Sequence, residues 1–359
     1  DIMGLIERLL QTLWQEFLGV RLDPPFERTA FDVVMKRYGT DSPDCRFELH
    51  IIELSDLAAL SDYTVFTSVL ARGGKVKCLN ATGALTRDLD KPEDERRFGR
   101  KGLDRLIEWT KRQGAKGLTW MRVTDAGLDS NIVKYFSPEL QRKIAERMAA
   151  KPGDLLLFIA DHEPVALEVM GKLRLRLGEE LGLIDPKAWK FLWVIDWPLF
   201  VPGAASDRPV AMRHPFTSPK YPTLDYLDGD PTTLRARAFD LVLNGVEIGS
   251  GSIRIHDPQV QARIFDLLRM GKHEAHERFG FLLEALSHGA PPHGGVALGL
   301  DRLVALMVGA ESIKDVIAFP KNKKFQSLVD GSPGKVSEAQ LRELQLLSLA
   351  ARKEKEERR

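Results

Sequence analysis

The sequence is short of the features that would narrow its class at once. It holds two cysteines, Cys45 and Cys78, in no paired motif, which excludes a disulfide framework and fits a reducing compartment. No apolar run reaches the roughly 18–20 residues of a membrane span, and no signal-peptide pattern is visible. A cytoplasmic location without a membrane partner is therefore expected. Neither sign of charge is in excess: 52 Lys+Arg stand against 51 Asp+Glu. That excludes a globally basic nucleic-acid coat, though not a local basic surface. Internal repeats and low-complexity segments are absent. So is an initiator methionine, because the chain opens Asp1-Ile2-Met3-Gly4.

What is present is globular composition: 43% hydrophobic and 29% charged residues over 359 positions, enough for two or three domains. Ile2, Ile6, Leu9, Leu13 and Phe17 keep a 3.6-residue period and predict a helix ending at Gly19. A second amphipathic helix is expected around Arg28–Tyr38. From about residue 49 the pattern alternates between strand and helix. Strands are expected at Phe47–Glu53, Lys75–Leu79, Gly117–Val123 and Asp154–Ala160, and helices at Pro92–Gln113 and Pro164–Leu183. This block reads as a self-contained α+β domain. Phe191–Ile195 is a continuous apolar run, as in a strand buried on both faces. Helices follow at Pro258–Met270 and Lys272–Leu286, and the tail Ala351–Arg359 reads as a fraying helix end.

The most informative stretch runs from Asp240 to Asp257. Asn244-Gly245 between two strand-like runs is a strong hairpin signal, since both turn residues need positive φ. A two-residue loop pairs Leu243 with Val246 and Val242 with Glu247, which makes Asp240 and Glu247 diagonal neighbours on one face. Two carboxylates on one face repel unless a cation or base lies between them. Mg²⁺ with a phosphate ligand is the expected solution. Strict alternation puts Arg254 on the opposite face; a one-residue bulge near Ser250, in the run Gly249-Ser250-Gly251-Ser252, returns it to the carboxylate face. We expect that bulge. A solvated edge hairpin is the alternative, but the acid–acid–arginine set around Gly-Ser-Gly favours a binding site.

A second stretch, Pro292 to Leu303, runs from a glycine-rich strand into an apolar helix, with Arg302 in its first turn. A guanidinium there can grip phosphate or stack on a base; close packing of helix on sheet accounts for the glycines equally well. His273-Glu274-x-His276 lacks the spacing of a zinc motif and reads as a polar helix face. His256 and His293 adjoin the glycine-rich runs, as site or loop residues.

Together, Asn244–Glu247, Gly249–Asp257 and Gly294–Arg302 closely resemble the class II aminoacyl-tRNA synthetases, above all their bacterial-type aspartyl branch. Arg37–Asp41, Arg213–Pro219, Gly289–Gly295 and Val316–Lys321 extend the resemblance over essentially the whole chain. It implies an α+β fold: an antiparallel class II sheet flanked by helices, incomplete here, with an inserted α+β domain. The expected division is 1–48, 49–185 (the insertion) and 186–359. It further implies that Gly299, Leu300, Asp301 and Arg302 bind ATP, that Glu247 and Arg302 are catalytic, and that Asp240, Glu247 and Ser250 hold Mg²⁺. Arg254, with Arg213 and His214, would bind L-aspartate, and tRNA would be the acceptor.

Three departures accompany the resemblance. Arg213 stands where the family usually has the first of two histidines, and Ser250 where many bacterial relatives have glycine. The family's anticodon-binding barrel and its first two motifs find no counterpart. We therefore expect a C-terminal portion of a protein that is a homodimer at full length, and that this portion alone does not activate aspartate. The alternatives are a truncated paralogue binding tRNA or protein without catalysis, and an enzyme charging both aspartate and asparagine tRNAs.

Overall fold

The structure, a computed structural model, describes residues 1–87, 92, 96–203 and 208–346. Glu93–Glu95, inside the expected helix from Pro92, and the expected helix end Ala351–Arg359 lie outside the described residues. The described residues form two compact units, Asp1–Leu298 and those from Gly299 onward.

In the first unit, α1 (Ile2–Leu18) ends at Gly19 in the left-handed region, as its sequence predicts. Its inner face buries Ile6, Leu10 and Trp14, with Glu7 among them, only 4% exposed. Burying a carboxylate requires partners; Glu7 accepts hydrogen bonds from the Trp193 indole at 2.9 Å and the Phe26 backbone at 3.2 Å. The expected second helix begins later than its pattern implies. Glu27–Ala30 is a strand, β1, and α2 is Phe31–Tyr38. Parallel pairing of β1 with Leu192–Ile195 captures residues whose period alone fits a helix.

The chain continues through β2 (Ile52–Glu53), α3 (Ser55–Ala58), α4 (Thr64–Leu70), β3 (Lys75–Ala81), α5 (Arg100–Arg112), β4 (Thr119–Thr124), β5 (Gly127–Asp129), α6 (Pro138–Arg147), β6 (Leu155–Asp161) and α7 (Glu163–Glu180). These strands make one antiparallel sheet, in the order β2-β3-β6-β4-β5. The strand expected at Phe47–Glu53 is reduced to its last two residues. The carbonyls of Phe47 and Leu49 instead accept from the buried Arg174 guanidinium, at 2.8 Å each.

A second sheet is built from β1, β7 (Phe191–Pro198), β10 (Arg235–Leu243), β11 (Val246–Ile253) and β12 (Gly294–Leu298), in that order. Apart from the β1–β7 pair it is antiparallel. Between these strands lie the small ribbon β8 (Phe200–Val201) with β9 (Val210–Ala211), and α8 (Leu224–Leu227). Leu192, Trp193 and Val194 of β7 are 2%, 0% and 0% exposed, as the apolar run requires. α9 (Pro258–Leu267) and α10 (Lys272–Ser287) follow β11. Asp257 caps α9 by accepting from Gln259 and Val260, with Pro258 in the first turn. One face of this sheet packs Leu192, Val194, Ala238 and Val242 with Ile264 and Phe265 of α9. The second unit holds α11 (Leu300–Val308), ended by Gly309 in the left-handed region, and α12 (Glu338–Glu343).

Candidate active site

The site forms on the β10–β11 hairpin. Asn244 and Gly245 take positive φ, 51° and 88°, and Leu243 pairs Val246 while Val242 pairs Glu247. The next pair is Leu241 with Gly249, so Ile248 is the extra residue of a bulge. It falls two positions before the expected place at Ser250 and has the expected consequence. Beyond it Asp240 faces Ser250 and Ala238 faces Ser252. By strand alternation Arg254 then shares the face of Asp240 and Glu247.

Arg213, from the segment after β9, reaches across to this face. Its Nη2 donates to Oδ2 of Asp240, and its guanidinium carbon lies 3.7 Å from the Trp197 ring centroid. The Asp240 side chain is 4% exposed and that of Arg213 25%. Burial pushes the Asp240 carboxyl above its usual range, against the pull of the Ser250 hydroxyl and Arg213; Asp41 adds a further upward push. Two polar atoms of the pair, Arg213 Nε and Asp240 Oδ1, are buried without a hydrogen-bond partner, as is the Ser252 hydroxyl nearby in the ladder.

His214 sits between cations. Its Nδ1 accepts from the Phe216 backbone at 3.2 Å and lies 3.4 Å from Arg254 Nη1, which assigns a neutral ring protonated on Nε2. Desolvation, then Arg254 and Arg213, bring its pKa down to about 4. Arg254 is itself fixed: its backbone N–H donates to the His293 carbonyl at 2.9 Å, and it bridges Thr217. The structure thus brings together Asp240, Ser250, Arg213, His214 and Arg254, with Glu247 on the same sheet face. Trp197 and Asp41 were not singled out from sequence. Nothing in the sequence around Trp197 marks it as a partner for Arg213, and only Asp41's place in Arg37–Asp41 pointed to that acid.

The glycines of β11 answer to packing. A Cβ on Gly251 would lie 2.3 Å from the Gly295 carbonyl and 2.6 Å from the Phe239 ring. Gly295 is different: paired with Ser252, its Cβ would meet nothing within 4 Å, so the strip beside Ser252 is left open. His273 and Glu274 belong to a polar helix face, with Glu274 paired to Arg208 and Arg278. In the second unit, Gly299 caps α11, whose first turn carries Leu300, Asp301 and Arg302; all three side chains are exposed.

Asp240, Glu247 and Ser250 fit a divalent ion poorly as a set: Arg213 already holds Oδ2 of Asp240, so an ion on the unpartnered Oδ1 would share one carboxylate with a guanidinium. Among the described residues no group of three or more His, Cys, Asp or Glu is placed to hold a metal ion. What the face offers directly is a guanidinium beside a neutral imidazole, suited to a carboxylate.

A family profile for class II tRNA synthetases (D, K and N) matches residues 1–323, and the chain belongs to that family. Among curated relatives it is 44% identical over 355 residues to an "Aspartate--tRNA(Asp/Asn) ligase" of Bacillus cereus (strain AH187), covering 99% of this chain and 58% of that protein. A protein of the same name from Caldanaerobacter subterraneus subsp. tengcongensis is 43% identical over 346 residues, covering 96% of this chain and 57% of the relative. The chain thus spans less than two thirds of the length of these relatives. A solved aspartyl tRNA synthetase from Entamoeba histolytica aligns over 42% of this chain and 26% of its own, at 26% identity, with a TM-score of 0.28. No helix among the described residues is long and apolar enough to cross a membrane.

Proposed function

We propose that the chain is the aspartate-recognising and nucleotide-binding part of an aspartate–tRNA ligase. In the whole reaction the α-carboxylate of L-aspartate attacks the α-phosphorus of ATP and pyrophosphate leaves. A hydroxyl of the terminal adenosine of tRNA then attacks the activated carbonyl, releasing AMP. Arg254 takes the side-chain carboxylate of aspartate in a two-pronged grip, and His214, held neutral, adds a hydrogen bond without competing charge. Glu247 faces the nucleotide, while Gly299–Arg302 bind ATP, with Arg302 gripping phosphate. Mg²⁺ would accompany ATP, and no step here is derived through it. A homodimer at full length and a cytoplasmic setting belong to the same reading, as do the insertion at 49–185 and the segments 1–48 and 186–359.

The observation that carries this reading is the bulge at Ile248, which turns Arg254 to the face of Asp240 and Glu247 beside His214. Equilibrium binding of L-aspartate by calorimetry tests it without requiring turnover. Truncating one member of a desolvated charge pair costs about 2–5 kcal/mol, so Arg254→Gln should weaken aspartate binding by roughly 30-fold or more. Binding that is equal in the two proteins, or absent from both, would leave a non-catalytic paralogue as the better account. A second reading, charging of both aspartate and asparagine tRNAs, is favoured by the "tRNA(Asp/Asn)" in the names of the relatives. Charging assays with the two tRNAs separate it from strict aspartate specificity.

A further inference from the structure

The hairpin sequence calls for a cation between its acids, and in the structure the group found on Asp240 is a side chain. Arg213 donates to Asp240 Oδ2 while its guanidinium carbon lies over Trp197, 3.7 Å from the ring centroid. The arginine is not a loose surface partner. The Met212 N–H before it donates to the Leu199 carbonyl at 3.1 Å, and beyond it the Ser218 N–H donates to the Ile253 carbonyl at 2.8 Å. Thr217 bridges Arg254. The backbone is therefore held on both sides of Arg213, and the ring beneath holds its fork. Asp240 is only 3% exposed, so its charge needs compensation within the protein.

We propose that Arg213 is the built-in cation of the Asp240 position, and that this acid does not serve as a ligand for a divalent metal. To reach Asp240, an ion such as Mg²⁺ would have to displace a guanidinium stacked on Trp197, or share one carboxylate with it at short range. Two cations on one buried carboxylate repel strongly where the dielectric is low. Stacking and a planar fork are arginine properties that a lysine would not reproduce. Arg213 is thus a positioning residue: it fixes Asp240 and, through its charge beside His214, helps keep that ring neutral.

The inference leans on the proposed nucleotide site only for the relevance of the metal. Its test needs neither aspartate nor tRNA, so the two readings fail separately. The probe is Mn²⁺ alone, titrated into the chain with the free ion followed by electron paramagnetic resonance. Asp240→Asn should leave the Mn²⁺ affinity of the otherwise native chain unchanged within twofold. Arg213→Ala should tighten Mn²⁺ binding at least tenfold, and adding Asp240→Asn to it should abolish that gain. Arg213→Gln, which keeps an N–H donor at the position without the charge and adds no imidazole ligand, gives a second route if the alanine variant does not fold. A tenfold weakening by Asp240→Asn in the native background would overturn the proposal, whatever the Arg213 variants do. So would folded Arg213 variants that bind Mn²⁺ no better than the native chain.

Discussion

At the scale of single residues, the site is governed by which charges are allowed to persist. His214 is the clearest case, with its pKa lowered to about 4 by desolvation, Arg254 and Arg213. Its free-chain value is about 6.5. A histidine depressed in this way contributes stability that is fully present above about 6.5 and is lost as the pH falls through about 4. At neutral pH the ring should be uncharged and able to accept the hydrogen bond from Phe216. An NMR titration of the ring protons should therefore show no transition between pH 8 and roughly 5.5. Arg213→Ala removes one of the two neighbouring cations and should move the midpoint upward. A native midpoint at or above 6.5 would mean that the two guanidiniums do not act on this ring.

At the scale of elements, the β10–β11–β12 sheet separates two uses of glycine. Gly251→Ala would drive a Cβ into the Gly295 carbonyl, at 2.3 Å. Backbone cannot give way cheaply there, so the strands must part, with an expected loss of about 1–3 kcal/mol by urea unfolding. Gly295→Ala meets open space and should stay within about 0.5 kcal/mol of the native chain. Its effect, if any, should fall on nucleotide binding. Equal destabilisation by the two changes would show that the open strip beside Ser252 does not exist. The same sheet shows what a sequence discloses. Asn244-Gly245 fixes its own turn by local backbone chemistry, and that turn sets the register of Val242 with Glu247. The need for a bulge followed from counting faces, but its seat at Ile248, a buried residue, rather than at Ser250 is not marked by the local pattern. β1 was not legible, because four residues with no strand pattern of their own pair with β7. The Arg213–Asp240 pair joins positions 27 residues apart, and nothing local in either segment announces it.

Across the whole molecule, long-range polar ties hold the segments that sequence patterns leave unassigned. Arg174 of α7 is one such tie, 2% exposed, with its Nε on the Leu49 carbonyl and its Nη2 on that of Phe47. Its guanidinium carbon lies 3.9 Å from the Phe47 ring centroid and 4.8 Å from that of Tyr38. The tie secures the stretch through which the chain passes from α2 into the sheet begun by β2, a stretch too polar in its backbone needs to be buried without it. Arg174→Met keeps the stem's packing but leaves two buried carbonyls without donors, at about 1–3 kcal/mol each. The expected loss is therefore about 2–6 kcal/mol. Arg174→Lys should recover little of it, since one ammonium cannot reach both carbonyls and also stack on Phe47. Lys172→Met on the same helix is the control. Its partner Glu168 is an exposed neighbour one turn away, and such pairs are worth about 0.3–0.5 kcal/mol. Urea midpoints that fall together for Arg174→Met and Lys172→Met would place the entry to the sheet begun by β2 under some restraint other than this arginine.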